Sequence, residues 1–316
     1  MHSFPSPATI EAYHRWRADA SQWLPVAIDI ARSHSLSCAE PHVFAEGTNL
    51  VVALDQRLVI KIFPPLLRHQ FESERAALAR LHGCLSVAVP QISFEGERSG
   101  WPYLVMTRMR GVSGKEAWGW LPEDQRETVL AQLGEVIAEV QRLPMGDLSL
   151  LQPQWNEFIP KQIEGCRARH ERLGVPQRYL DGLDDFIRGA ATLIPVDAAT
   201  VILTGEYNPE NLLLEERSGH WRLKALIDFG DTMTGWGEYD LLGPSTFAAA
   251  GMPGRVRSLL GGFGYSTARA DAGLRRRLMT LLLLHRFSNL AVQIRVEEWQ
   301  QKAANLYELE RLLWPI

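Results

Sequence analysis

The stretch Val201-Ile-Leu-Thr-Gly-Glu-Tyr-Asn-Pro-Glu-Asn-Leu-Leu-Leu214, followed after a hairpin-like segment by Ala225-Leu-Ile-Asp-Phe-Gly-Asp231, decides how this chain is read. Two apolar, strand-like runs each deliver polar residues to a loop. The first leads to an acid, Glu206, and five residues later to an amide, Asn211; the second ends on a carboxylate, Asp228. Phosphoryl transfer asks a protein for little covalent work. It needs cations to neutralise phosphate charge, hard oxygen ligands to hold those cations, and an acceptor to orient the attacking hydroxyl. Asp228 and the amide oxygen of Asn211 suit Mg2+, Glu206 is placed to accept the hydroxyl's proton, and Tyr207-Asn-Pro-Glu210 between them is loop chemistry.

Working outward, residues 42–63 hold short β-branched runs separated by Glu46-Gly-Thr-Asn49 and Asp55-Gln-Arg57. One of them, Val59-Ile-Lys-Ile-Phe63, is apolar except for Lys61, whose ammonium therefore needs an anionic partner. Glu74, inside the helix-forming stretch 66–82, is the candidate. Two further strands, 90–95 and 101–109, flank a turn at 96–100, so residues 42–109 predict a five-stranded antiparallel sheet with one inserted helix. Residues 8–35 predict helix divided at Pro25. Beyond Gly111 the pattern is mainly helical, over 123–143, 154–173, 177–193, 255–263, 270–296 and 296–313, around one β-rich island at 200–228. The Arg110-Gly-Val-Ser-Gly114 link marks the boundary between residues 1–110 and 111–316.

Composition narrows the function classes. The chain has 316 residues, 46% of them hydrophobic and 22% charged, which fits a folded globular protein rather than a disordered one. A net charge of −4 argues against a nucleic-acid partner held by overall phosphate attraction. The three cysteines, Cys38, Cys84 and Cys166, form no metal or redox spacing, and neither a signal peptide nor an apolar run of about 20 residues is present. A reduced, cytoplasmic protein without a membrane span is the expectation.

In the order Lys61, Glu74, Glu206, Asn211, Asp228 the chain resembles the aminoglycoside phosphotransferase family, relatives of the protein kinases that phosphorylate small-molecule hydroxyls. The family signature H-G-D-x-x-x-x-N followed by I-D-F/W reads here Thr204-Gly-Glu206, Asn211 and Ile227-Asp-Phe-Gly230. Residues 57–63 and 100–111 look most like the hygromycin B phosphotransferases; the likeness spans roughly 40–290, and the first forty residues add little to it. The resemblance implies an α+β, two-lobed protein-kinase-like fold, with a small antiparallel-sheet N-lobe and a larger, mainly helical C-lobe. It implies Lys61 on the phosphates of ATP or GTP with Glu74 as its helix partner, Asn211 and Asp228 on Mg2+, and Glu206 in the catalytic-base position. Thr48 and Asn49 fall in the short phosphate-covering turn, Thr107 and Met109 in the linker that meets adenine through backbone groups. Asp240, in Glu238-Tyr-Asp240, is expected to be structural.

The position filled by Asp in the family is Glu206 here, and one extra methylene can move a carboxylate by about an ångström, a misplacement that can cost ~10²-fold in rate. The sequence therefore carries three readings: an antibiotic-resistance kinase for a cationic aminoglycoside such as hygromycin B, a metabolic kinase for an amino alcohol or sugar, and a nucleotide-binding pseudo-kinase. Glu116, Glu157, Asp231 and Glu238 are the acids that would suit a cationic substrate. His285, in the helix expected over 281–290, is a further substrate candidate, with satisfied core packing as its plainer role. Trp118, Trp120 and Trp155 are core residues or a sugar-binding wall, and Gly111-Val-Ser-Gly-Lys115 lacks phosphate-loop spacing and reads as a turn leading into a helix. The assembly expected is a monomer or a dimer.

Overall fold

The computed structural model describes residues 4–197, 199–205 and 207–316. They form two compact units, one comprising residues up to Cys84, Ala88–Arg110 and Ile227–Asp231, the other Leu85–Val87, Gly111–Leu226 and Thr232–Ile316.

The first unit begins with helices α1 (Ile10–Arg17) and α2 (Leu24–Ser33). The chain breaks between them at residues 18–23, not at Pro25. That proline lies in the first turn of α2, where its missing N–H costs no helical bond. Strands β1 (His42–Phe44), β2 (Leu50–Ala53) and β3 (Leu58–Ile62), helix α3 (Arg68–Leu81), and strands β4 (Ile92–Arg98) and β5 (Trp101–Thr107) follow. The sheet is antiparallel with strand order β1-β2-β3-β5-β4. Strand β4 runs on to Arg98, past the expected start of the turn, because Ser99 and Gly100 close the hairpin alone. Both have positive φ, +53° and +82°, as a two-residue turn matched to strand twist requires.

Side chains alternate across a strand, and β3 uses both faces. Ile60 and Ile62 enter a core with Tyr13, Trp23, Val26 and Ile30 of the N-terminal helical segment and with Trp101, Tyr103 and Val105 of β5. The N-terminal helical segment thus covers one face of the sheet. Lys61, of opposite parity, reaches Glu74 on α3.

The second unit contains β6 (Val112–Ser113), α4 (Gly114–Trp118), α5 (Glu123–Arg142), α6 (Trp155–Arg172), α7 (Gln177–Leu193), β7 (Val201–Leu203), β8 (Leu212–Arg217), β9 (His220–Leu226) and β10 (Met233–Gly235). The short α8 (Leu242–Pro244) leads to α9 (Pro253–Phe263), α10 (Ala272–Leu284), α11 (Leu290–Gln293), α12 (Trp299–Lys302) and α13 (Leu306–Leu313). Strands β6, β8 and β9 make one small sheet and β7 pairs with β10, a strand the sequence pattern does not announce. Helices α5 and α9 approach closely: a Cβ at Gly134 would stand 2.3 Å from the Leu259 carbonyl oxygen.

The single helices expected over 270–296 and 296–313 are each broken. Helix α10 stops at Leu284, and the residues that would extend it make other bonds. The Arg286 N–H donates to the Tyr239 hydroxyl at 3.1 Å, and the Phe287 N–H to His285 Nδ1 at 3.2 Å. Among the described residues, no helix is long and apolar enough to cross a membrane.

Candidate active site

In the first unit, Lys61 Nζ donates to Glu74 Oε2 at 2.5 Å and to Asp228 Oδ1 at 2.8 Å. Lys61 is 4% and Glu74 1% exposed, so a single buried ammonium serves two carboxylates. Burial disfavours the Lys61 charge, but the fields of Asp228 and Glu74 outweigh it and hold its pKa above the ordinary value. Burial pushes Glu74 up to about 7 against the pull of Lys61. Asp228 keeps 36% of its side chain open, and the Lys61 charge and the Gly230 N–H, at 3.3 Å, hold its carboxyl below the usual range against burial. At φ +63° its backbone is left-handed, a conformation that costs most non-glycine residues about 1–3 kcal/mol.

The turn before β2 is held from both sides. On α1, the Tyr13 hydroxyl donates to the Thr48 carbonyl at 2.7 Å, and Arg17 donates to the carbonyls of Ala45 and Glu46 at 3.0 Å and of Asn49 at 3.3 Å. On α3, Gln70 Oε1 accepts from Asn49 Nδ2 at 3.0 Å, and Gln70 Nε2 donates to Asp231 Oδ1 at 3.4 Å. Thr48 is exposed and Asn49 buried. At the end of β5, the Thr107 N–H is taken by the Gln91 carbonyl at 2.9 Å and the Arg108 N–H by Arg57 at 2.7 Å, so Thr107 cannot offer its N–H to a base; Met109 follows, half-buried.

In the second unit, Asp240 receives two consecutive amides, Thr204 N–H on Oδ2 and Gly205 N–H on Oδ1, each at 2.9 Å. Burial raises its pKa to about 7 although both amides and Arg286 oppose this. Gly205 has φ +69°, a conformation open to glycine at no steric cost. Asn211 ends a single 3₁₀ turn, Pro209–Asn211, its N–H bonded to the Asn208 carbonyl at 2.9 Å. Glu206, the expected catalytic base, lies outside the described residues.

The expected substrate residues are dispersed in role. Glu238 is buried, its two oxygens bonded by Arg277 at 2.8–3.1 Å and one of them by the Tyr265 hydroxyl at 2.5 Å. His285 is not helical: its ring stacks on Tyr239 at 4.8 Å, and burial lowers its pKa to about 3, leaving a neutral imidazole. Trp155 is 1% exposed, packed on Phe158 and Tyr239, hence core and not a sugar wall; Trp120 is exposed and meets Trp221 edge-on. Glu157 is exposed, 4.0 Å from Lys161, and Glu116 is exposed. Among the described residues no group of three or more His, Cys, Asp or Glu forms a metal cage.

The contacts around the candidate residues that the sequence pattern does not announce are those of Tyr13, Arg17 and Gln70, and of Arg277 with the buried Glu238. Gln70 and Glu74, like Tyr13 and Arg17, are spaced i, i+4, which places each pair on one helix face. That spacing was the available signal.

A model of the phosphotransferase enzyme family matches residues 45–263 of this chain. Among solved structures, APH(2″)-IIIa in complex with GDP and kanamycin is similar at a TM-score of 0.67 with 19% identity, over 83% of this chain and 89% of that one. The streptomycin–ATP ternary complex of APH(2″)-IIa is similar at 0.60 with 14% identity, over 82% and 89%. The macrolide 2′-phosphotransferase MphH from Brachybacterium faecium is similar at 0.58 with 19% identity, over 82% and 88%. At these identities the likeness carries the fold, the mixed α+β architecture of these phosphotransferases.

Proposed function

Because the chain belongs to the phosphotransferase enzyme family, we propose that it transfers the γ-phosphoryl group of ATP or GTP to a hydroxyl of a small molecule, with an aminoglycoside such as hygromycin B as the first acceptor to test. The observation that carries this reading is the buried Lys61 held by Glu74 and Asp228. A buried ammonium whose second carboxylate, Asp228, stays 36% open is a perturbed charge cluster of the kind that functional sites use to meet further charged groups. Nucleotide phosphates and Mg2+ are such groups, and GDP and ATP in the complexes of similar proteins support the choice.

The donor chemistry fits Mg2+. Asp228 and Asn211 offer hard oxygens, and this ion is commonly held by one or two carboxylates together with phosphate oxygens and water. When bound, Mg2+ would offset charge on the phosphates during transfer. Lys61 would pair with the non-transferred phosphates, Glu74 would keep its ammonium aimed, and Asp240, through the Thr204 and Gly205 amides, would fix the loop that leads into Glu206. Glu206 would accept a hydrogen bond from the acceptor hydroxyl and orient it for in-line attack. The turn at 46–49 would cover the phosphates, and Met109 would meet the base. Three free cysteines suit a reducing, cytoplasmic setting.

A second reading, a nucleotide binder without transfer, is favoured by Glu206 standing where the family has Asp. A coupled assay of nucleoside diphosphate release with aminoglycosides, macrolides, amino alcohols and sugars separates the two. Turnover with one acceptor class, abolished in Asp228→Ala, supports the enzyme. No turnover with any acceptor, together with activity gained in Glu206→Asp, rejects it.

A further inference from the structure

We propose that Gln70 is a positioning residue that ties the turn at 46–49 to the loop carrying Asp228 and Asp231, so that nucleotide ordering of one is transmitted to the other. The inference rests on the nucleotide reading above and concerns residues of the first unit only. Gln70 lies one helical turn before Glu74 on α3, so a single helix face touches Lys61, through Glu74, and both loops, through Gln70. A primary amide suits this place because it accepts at one end and donates at the other. Its Oε1 takes the Asn49 Nδ2 proton at 3.0 Å and its Nε2 donates to Asp231 Oδ1 at 3.4 Å.

The bridge is built against a close backbone approach. A Cβ added at Gly230 would stand 3.3 Å from the Gln70 Cβ, so the loop lies directly on α3. Asn49 is 4% exposed and its Oδ1 is buried without a hydrogen-bond partner, so its side chain is oriented by Gln70 through Nδ2. Tyr13 and Arg17 hold the carbonyls of the same turn, which leaves it little freedom to shift independently of α3. Neither Asn49 nor Asp231 has to touch the other for the position of one to constrain the other.

The two ends of the amide are separable by substitution. Gln70→Glu keeps an acceptor for Asn49 but removes the donor and sets a negative charge against Asp231. Gln70→Leu removes both bonds. The test is the thermal shift of the full chain with ATP or GTP, without and with Mg2+, for wild type, Gln70→Glu, Gln70→Leu and Asn49→Ala. Gln70→Glu is expected to keep the nucleotide-only shift and lose the increment added by Mg2+. Gln70→Leu should lose the Mg2+ increment and shrink the nucleotide-only shift, with nucleotide affinity falling about fivefold to tenfold. Asn49→Ala should weaken the nucleotide-only shift, and adding it to Gln70→Leu should cost nothing further, since the two share one bond. In steady state the KM for nucleotide should rise while that for the hydroxyl acceptor stays put, a split that general destabilisation does not produce. If Gln70→Leu does not fold, the Gln70→Glu and Asn49→Ala results decide. Wild-type shifts in all variants overturn the inference alone. No shift in the wild-type protein with either nucleotide overturns the nucleotide reading and, with it, this inference.

Discussion

Replacing Lys61 by Met should destabilise the protein by an amount that grows with pH. In the native chain Glu74 has its carboxyl raised from 4.5 to about 7, so the folded state binds a proton that the unfolded state has released. Stability therefore falls as pH rises from about 4.5 towards 7, then levels off. Lys61→Met removes the cation 2.5 Å from a carboxylate that is 1% exposed. Breaking a buried pair from one side costs about 3–5 kcal/mol, but Glu74 can limit that cost by staying protonated. Without the Lys61 charge to lower it, its pKa then moves further up, and the penalty continues to climb at about 1.4 kcal/mol per pH unit where the native protein has levelled off. Between pH 6 and 8 the native chain loses about 1 kcal/mol through this group and the variant roughly twice as much, so the difference between them widens by about 1 kcal/mol. Urea unfolding of both proteins at pH 6 and 8, without nucleotide, measures it. In Lys61→Met/Glu74→Gln this titration is absent, so the difference from the native chain should narrow over the same interval. A pH-independent difference for the single variant, or a double variant with the same pH dependence, would refute the charge assignment.

Three further outcomes follow from contacts in the second unit. Gly134→Ala should cost about 1–3 kcal/mol or more, because its Cβ would lie 2.3 Å from the Leu259 carbonyl and 2.6 Å from the Phe263 nitrogen; Gly261→Ala, with nothing within 4 Å, should be neutral or slightly stabilising in the same urea titration. Arg277→Met leaves the buried Glu238 with only the Tyr265 hydroxyl and should lower stability by about 3–5 kcal/mol, with Arg277→Lys recovering part of it by denaturant midpoint. Asp240, raised from 3.8 to about 7 by burial, also makes stability fall as pH rises through that interval; Asp240→Asn should flatten the slope of thermal stability against pH between about 4 and 7.

How much of this was legible in the sequence depends on how far apart the interacting residues lie. Lys61 was found because strand alternation and the cost of an unpaired ammonium act within a few residues. The motif order gave Asp228, and the family match over 45–263 carries the same fold. Gln70 escaped notice because its partners, Asn49 and Asp231, lie 21 and 161 residues away, and no local period encodes such a register. The break after Leu284 was hidden for the same reason: the apolar run looks like one helix, and the hydroxyl that takes the Arg286 N–H belongs to Tyr239, 47 residues earlier. Tyr13 and Arg17 lay in a segment outside the family likeness, where only their spacing pointed to a shared face.

Backbone strain singles out Asp228 independently of any motif. Five described non-glycine residues have positive φ: Ser35, Ser99, Ser218, Asp228 and Glu298. Ser99 and Ser218 each precede a glycine, also of positive φ, in a two-residue hairpin turn, where twist demands the conformation. Ser35 follows the end of α2, and Glu298 is the residue before α12, places where a helix terminus sets the backbone. Asp228 lies in neither kind of turn nor at a helix end. Aspartate tolerates the left-handed region better than most residues, but glycine would occupy it more cheaply, and a glycine could not place an oxygen 2.8 Å from Lys61. The conformation is therefore explained by what the side chain must reach. A carboxylate turned back by the chain onto a buried ammonium, a third of it still open, is the one strained position in the first unit whose only evident return is charge placement.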